Sequence, residues 1–141
     1  MIIADTGFWL ALLNPKDKYH LMAKKSFEKI VFQKEEIITT CAVMTETCHL
    51  LLQRIGNHAQ KRFLDSYKKG AFVVFEIQIK HTDRIVYLID KYSNLPMDFA
   101  DASLVILAEE LGHGRILSTD QRDFNTYRWK QQYPFENLLV E

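Results

Sequence analysis

Four short apolar runs, set far apart along the chain, limit its possible folds more than any other feature. Ile2-Ile3-Ala4, Glu36-Ile37-Ile38-Thr39, Phe72 to Phe75 and Ile116-Leu117-Ser118 are rich in β-branched or aromatic residues. They do not alternate apolar with polar, as a strand with one wet face does, so they predict strands covered on both faces. The intervening stretches carry helical stripes. Phe8 to Leu13 is stopped by Asn14-Pro15, and Tyr19 to Phe32 places Leu21, Met22, Phe27, Ile30 and Val31 at helical spacing. Cys41 to Ile55 follows, then a basic helix capped by Asn57 and ending at Gly70, then Ile79 to Tyr92. Asp98 to Leu111 lies between Pro96 and Gly112, and Phe135 to Val140 predicts a further edge strand. The order β-α-α-β-α-α-β-α-α-β predicts a three-layer α/β/α sandwich around a mainly parallel sheet of four or five strands. With no repeat, linker or low-complexity segment, residues 1–141 are expected to form a single domain.

Composition narrows the class. A chain 48% apolar and 26% charged is neither disordered nor fibrous, and no apolar run reaches a membrane span. The start, Met-Ile-Ile-Ala-Asp, lacks a basic flank for a secretory signal. Cys41 and Cys48, seven apart, sit ~10 Å apart by helical rise, too far for a disulfide, which predicts a cytoplasmic protein. Eighteen basic residues balance eighteen acidic ones, so bulk charge alone does not grip nucleic acid. The charge is nonetheless uneven. Arg54, Lys61, Arg62, Lys68 and Lys69 face a single acid, Asp65, in their segment, whereas Asp98, Asp101, Glu109 and Glu110 share theirs with no basic residue.

Right-handed crossovers bring the C-terminal ends of parallel strands to one rim, where ligands bind. Asp5 follows the first strand and Asp120 the fourth. Glu46 lies early in the helix after the second strand, and Asp98 and Asp101 open the helix before the fourth. Each has an ordinary explanation by itself. Asp98 and Asp101 fit a capping pair, Asp5 and Asp120 fit strand-end turns, and Glu46 fits a helix surface. Together on one rim they are costly, because two carboxylates ~4 Å apart repel by ~4 kcal/mol at an effective dielectric near 20. Proton sharing or a hard cation relieves this. An all-oxygen set without His or Cys suits Mg²⁺ or Mn²⁺, and those ions serve phosphoryl transfer or phosphodiester hydrolysis.

At these residues the sequence resembles the PIN-domain nucleases, and within them the VapC-like toxin ribonucleases of toxin–antitoxin pairs. The resemblance is carried by Ile3-Ala4-Asp5-Thr6, by Glu46, by Met97-Asp98-Phe99-Ala100-Asp101-Ala102-Ser103-Leu104, and by Leu117-Ser118-Thr119-Asp120-Gln121-Arg122-Asp123-Phe124. It implies a Mg²⁺- or Mn²⁺-dependent endoribonuclease with Asp5, Glu46, Asp101 and Asp120 as its catalytic acids. Asp5 and Asp101 would be direct ligands, Glu46 and Asp120 would hold a second ion or orient water, and Asp98 would be an extra member. Thr6 and Thr119 match small hydroxyl positions that bind a carboxylate or the scissile phosphate. Gly7 stands where the family frequently has serine, which removes one polar contact. Asp123 is expected to serve a loop or a helix cap. An RNA substrate, a cognate antitoxin and a homodimer are implied as partners, with no membrane association.

RNA contacts would draw on the basic stretch, notably Arg54, Lys61 and Arg62, and on Arg122, Arg128 and Lys130. Tyr127 and Trp129 lie among the latter and are expected to pack the C-terminal segment rather than stack on bases. Two alternatives compete with the nuclease. One is a non-catalytic module of the same fold that binds nucleic acid or protein. The other is a phosphatase or receiver-like domain, which is disfavoured because no Lys follows Ile116-Leu117-Ser118.

Overall fold

The structure is a computed structural model and describes residues 1–139. In chain order the elements are β1 (Ile2–Ala4), α1 (Thr6–Leu13), α2 (His20–Phe32), β2 (Ile37–Thr40), α3 (Cys41–Arg54), α4 (Asn57–Lys68), β3 (Val73–Phe75), α5 (Thr82–Lys91) and α6 (Phe99–Leu111). The C-terminal part contributes β4 (Arg115–Leu117), α7 (Gln121–Thr126), β5 (Arg128–Trp129), β6 (Tyr133–Pro134) and β7 (Glu136–Asn137). Five strands form one parallel sheet in the order β3-β2-β1-β4-β7, and β5 and β6 make a small antiparallel hairpin. The expected α/β/α sandwich is therefore borne out.

Three of the four apolar runs, in β1, β2 and β4, form the middle of the sheet because neither face meets water, whereas the third run forms β3, an edge strand whose residues are only half-buried. Ile3 of β1 sits between Ile38 and Ile116 in register, and all of β1 is buried. Buried hydroxyls near the strand ends find partners within the protein. Thr39 Oγ1 donates to the Ala4 carbonyl at 2.8 Å, and the hydroxyls of Thr40 and Ser103 bond at 2.7 Å. Helix α6 lies against β1 and β2 and is covered by α3 and α5, so Ala102 through Ala108 are all buried. That explains a helix apolar on every side. Leu107 is fully buried there, and Leu107→Ala is expected to cost ~2–5 kcal/mol in a urea unfolding titration, because the cavity does not collapse completely.

Three predicted boundaries change. Gly56 (φ 143°), not Asn57, occupies the N-cap of α4, a conformation that favours glycine, and Asn57 becomes the first helical residue. The single helix expected over Ile79 to Tyr92 breaks into a 3₁₀ turn, Ile79–His81, followed by α5. His81 sets this break: its Nδ1 accepts from the Gln78 amide at 2.9 Å while its Nε2–H donates to Glu110 Oε1 at 2.9 Å. The expected edge strand shortens to β7, and Val140 lies outside the described residues. Glu136 and Leu138 donate to the Gly114 and Ile116 carbonyls, and Asn137 brackets Ser118 with two side-chain bonds. Cys41 and Cys48 are both free thiols. Among the described residues no helix is long and apolar enough to cross a membrane.

Candidate active site

Asp5 leaves β1 and caps α1: its Oδ1 accepts from the Phe8 amide at 3.0 Å, and the residue is buried. Its other oxygen receives the Ser118 hydroxyl, at the end of β4. The same Ser118 oxygen accepts the Asp120 amide at 2.9 Å, so one buried hydroxyl ties two acids together. Asp120 in turn caps α7, accepting the Asp123 amide at 3.1 Å. From α3, Glu46 reaches across to Thr6, whose hydroxyl donates to Oε1 at 2.5 Å. Asp98 and Asp101 form a reciprocal capping box at the start of α6, with Asp101 N donating to Asp98 Oδ1 at 2.8 Å and Asp98 N to Asp101 Oδ2 at 3.5 Å. Capping and a role in the site are thus compatible, because each carboxylate has a second oxygen.

Asp5, Glu46, Asp98, Asp101 and Asp120 all line one cavity of about 280 Å³, together with Thr6, Gly7 and Thr119. Topology accounts for the meeting: residues separated by up to 115 positions converge at the strand C-termini. Burial pushes Asp5 up to about 7, opposed by the Ser118 and Phe8 hydrogen bonds and reinforced by Asp120 and Glu46. Burial likewise raises Asp101 to about 8, with Asp98, Asp123 and Asp120 adding repulsion. Asp120 bears on both. Full ionisation of such a set is unfavourable without an added positive charge.

The donor set fits a hard divalent cation by its chemistry, since every lining acid offers oxygen and none of the lining residues is His or Cys. Among the described residues, no three acidic, histidine or cysteine side chains converge closely enough to share one ion. Direct coordination of one ion by several of these carboxylates therefore requires their side chains to move.

Other predicted residues divide. Thr6 and Thr119 belong to the cavity, and Arg122 lies beside it, largely exposed, with Nε 3.3 Å from Asp123 Oδ1. Arg54, Lys61 and Arg62 are exposed and do not line it; Lys61 and Arg62 flank a separate surface depression with His58 and Lys68. Asp123 caps nothing. It sits in the first turn of α7, buried beside Asp120, and is pushed up to about 6 by burial. Two supporting residues escaped the sequence reading. Ser118 was legible only as a strand residue, although a hydroxyl two places before an aspartate is a turn signal. Tyr127 packs, as expected, but its hydroxyl also points at Asp101.

Gly7 has a structural reason. A Cβ there would lie 2.0 Å from Thr119 Oγ1 and 3.5 Å from Asp5 Oδ1, so the Thr119 hydroxyl occupies the space a side chain at position 7 would need. Gly7→Ala is expected to lower the melting temperature, and Thr119→Ala in the same chain to restore most of the loss. The test is a double-mutant cycle with a coupling of ~1–3 kcal/mol; additive effects would contradict it.

A parallel sheet covered by helices, with acids gathered over its C-terminal rim, is the architecture expected from the PIN resemblance. The chain matches the sequence profile of the PIN domain over residues 2–130 and belongs to the PIN domain family. It is similar to ribonuclease VapC26 of Mycobacterium tuberculosis (strain ATCC 25618 / H37Rv), with 23% identity over 127 residues that cover 90% of this chain and 92% of that protein. Among solved structures it is similar to Mycobacterium tuberculosis VapC20, described as a toxin that cleaves the sarcin-ricin loop, with a TM-score of 0.74 and 22% identity over 86% of this chain and 92% of that one. The likeness to VapC-like nucleases is borne out, and the structural match supports the fold.

Proposed function

We propose that this chain is a Mg²⁺- or Mn²⁺-dependent endoribonuclease, the toxin of a toxin–antitoxin pair, acting in the cytoplasm as a homodimer whose antitoxin partner covers the acidic cavity. The observation that carries this reading is the lining of one cavity by five carboxylates, two of them held well above their ordinary values. The names of the two relatives, a ribonuclease and an RNA-cleaving toxin, support RNA as the substrate.

In this reading Asp5 and Asp101 are the direct ligands. Glu46, steadied by Thr6, and Asp120, steadied by the Asp123 amide, hold a second ion or orient the attacking water. Asp98 is an additional carboxylate at the opening of α6. When bound, the cation supplies positive charge for the phosphate and makes water a competent nucleophile at neutral pH. The water oxygen bonds to phosphorus as the bond from phosphorus to the 3′ oxygen breaks, leaving 5′-phosphate and 3′-hydroxyl ends. Thr119, which lines the cavity, donates its hydroxyl to a phosphate oxygen in this reading. Arg122, Arg54, Lys61 and Arg62, outside the cavity, hold flanking phosphates by charge.

The test is cleavage of single-stranded RNA by the purified chain with Mg²⁺ or Mn²⁺ and with chelator, followed by analysis of product ends. Metal-dependent scission with 5′-phosphate ends is expected. No cleavage of any RNA under either metal, with no rise in melting temperature on adding Mn²⁺, would point instead to a non-catalytic module of the same fold.

A further inference from the structure

We propose that Tyr127 is a positioning residue for the acidic cavity: its hydroxyl anchors one oxygen of Asp101 from inside the protein and so turns the other toward the cavity. The inference rests on reading the cavity as a divalent-cation site.

Tyr127 is the C-cap of α7 and is completely buried, so its ring is not available to a substrate. Several contacts fix where the phenol points. Tyr92 and Phe124 meet the ring edge-on at centroid distances of 4.9 and 5.2 Å. The Tyr127 amide donates to the Asp123 carbonyl at 2.9 Å, and the next amide, Arg128 N–H, donates to Tyr92 Oη at 3.0 Å. A buried phenol hydroxyl needs a partner, and here it donates to Asp101 Oδ2 at 3.4 Å.

Asp98 N–H also donates to Oδ2, at 3.5 Å. The backbone of Asp98 and the phenol of Tyr127 therefore converge on the same oxygen and leave Oδ1 for the cavity. Both bonds are long and individually weak, so it is their convergence on one oxygen that orients the carboxylate. Partners that orient a ligand in this way typically change metal affinity or activity about 10- to 100-fold when removed.

The experiment titrates Mn²⁺ by calorimetry into the metal-free full-length chain, as wild type, Tyr127→Phe and Phe124→Leu, with a thermal melt of each. Tyr127→Phe keeps the ring and is expected to bind Mn²⁺ about 10-fold more weakly and to lower kcat for RNA more than it alters KM. Phe124→Leu loosens the same aromatic cluster without touching the hydroxyl, and is expected to lower the melting temperature while keeping Mn²⁺ affinity. Wild-type affinity in Tyr127→Phe, or equal weakening in Phe124→Leu, would overturn the positioning role alone. A wild type that takes up no Mn²⁺ would overturn it together with the reading of the cavity. If Tyr127→Phe does not fold, ¹³Cζ-tyrosine NMR of the unmodified chain decides: the Tyr127 signal must shift on adding Mg²⁺, and a stationary signal overturns the proposal.

Discussion

Asp5→Asn and Asp101→Asn are each expected to reduce RNA cleavage by about 10³-fold or more while making the metal-free protein harder to unfold. The rate loss follows from removing a charged ligand: a few kcal/mol of charge stabilisation in the transition state corresponds to about 10³-fold in rate. The gain in stability has a separate origin. Lifting Asp5 from 3.8 to about 7 places up to about 4 kcal/mol against its ionisation at pH 8. Asparagine carries no charge there and can still accept the Phe8 amide that caps α1. It forfeits the stronger bond that a carboxylate accepts from Ser118, so the net gain at pH 8 is on the order of 1–3 kcal/mol. Single-turnover cleavage and urea unfolding with chelator measure the two effects on the same samples. Loss of activity with loss of stability would make these acids structural, and unchanged activity would remove them from the site.

The second large effect is a dependence of stability on pH whose sign opposes the usual acid denaturation. Asp5 and Asp101 bind protons more tightly in the folded protein than in the unfolded chain. Their contribution is fully present below the ordinary carboxylate range and is lost as pH rises through about 7 and about 8. The chelated protein is therefore expected to lose melting temperature between pH 5 and pH 8.5, by an amount equivalent to several kcal/mol. Glu35 and Glu110, lowered by Arg115 and by His81 respectively, act in the opposite sense below this window. Within it His113, lowered by burial, also opposes the trend, while Asp123, raised to about 6, adds to it. Mn²⁺ binds the ionised carboxylates, so its stabilisation should grow with pH and flatten the curve. Melting curves across the window, with chelator and with Mn²⁺, test this directly. A chelated protein equally stable at both ends would mean that the acids are too well solvated to repel one another.

Much of the architecture was legible in the sequence because the physics that creates it is local. Ile2-Ile3-Ala4 and Ile116-Leu117 cannot be exposed on either face, and the apolar stretch from Ala102 to Ala108 cannot be a surface helix. Once those elements imply a parallel sheet, topology rather than spacing gathers Asp5, Glu46, Asp98, Asp101 and Asp120 at one cavity. What was not legible depends on side chains meeting across the fold. Gln121 to Thr126 is too polar and too short to announce a helix, yet Asp120 caps it. Linear charge density gave no means of seeing that Lys61 and Arg62 flank a different depression from the acids. Ser118 and Tyr127 looked like core residues and are core residues; that their hydroxyls end on Asp5 and Asp101 follows only from the approach of β4 and α7 to the rim.

Anomalous scattering from crystals grown with Mn²⁺ at pH 8 would address the acidic cavity most directly. The account predicts at least one manganese peak within it, in direct bonding distance of Asp5 and Asp101, with their side chains rotated toward the ion. An empty cavity at saturating Mn²⁺, or manganese bound only elsewhere on the surface, would contradict it.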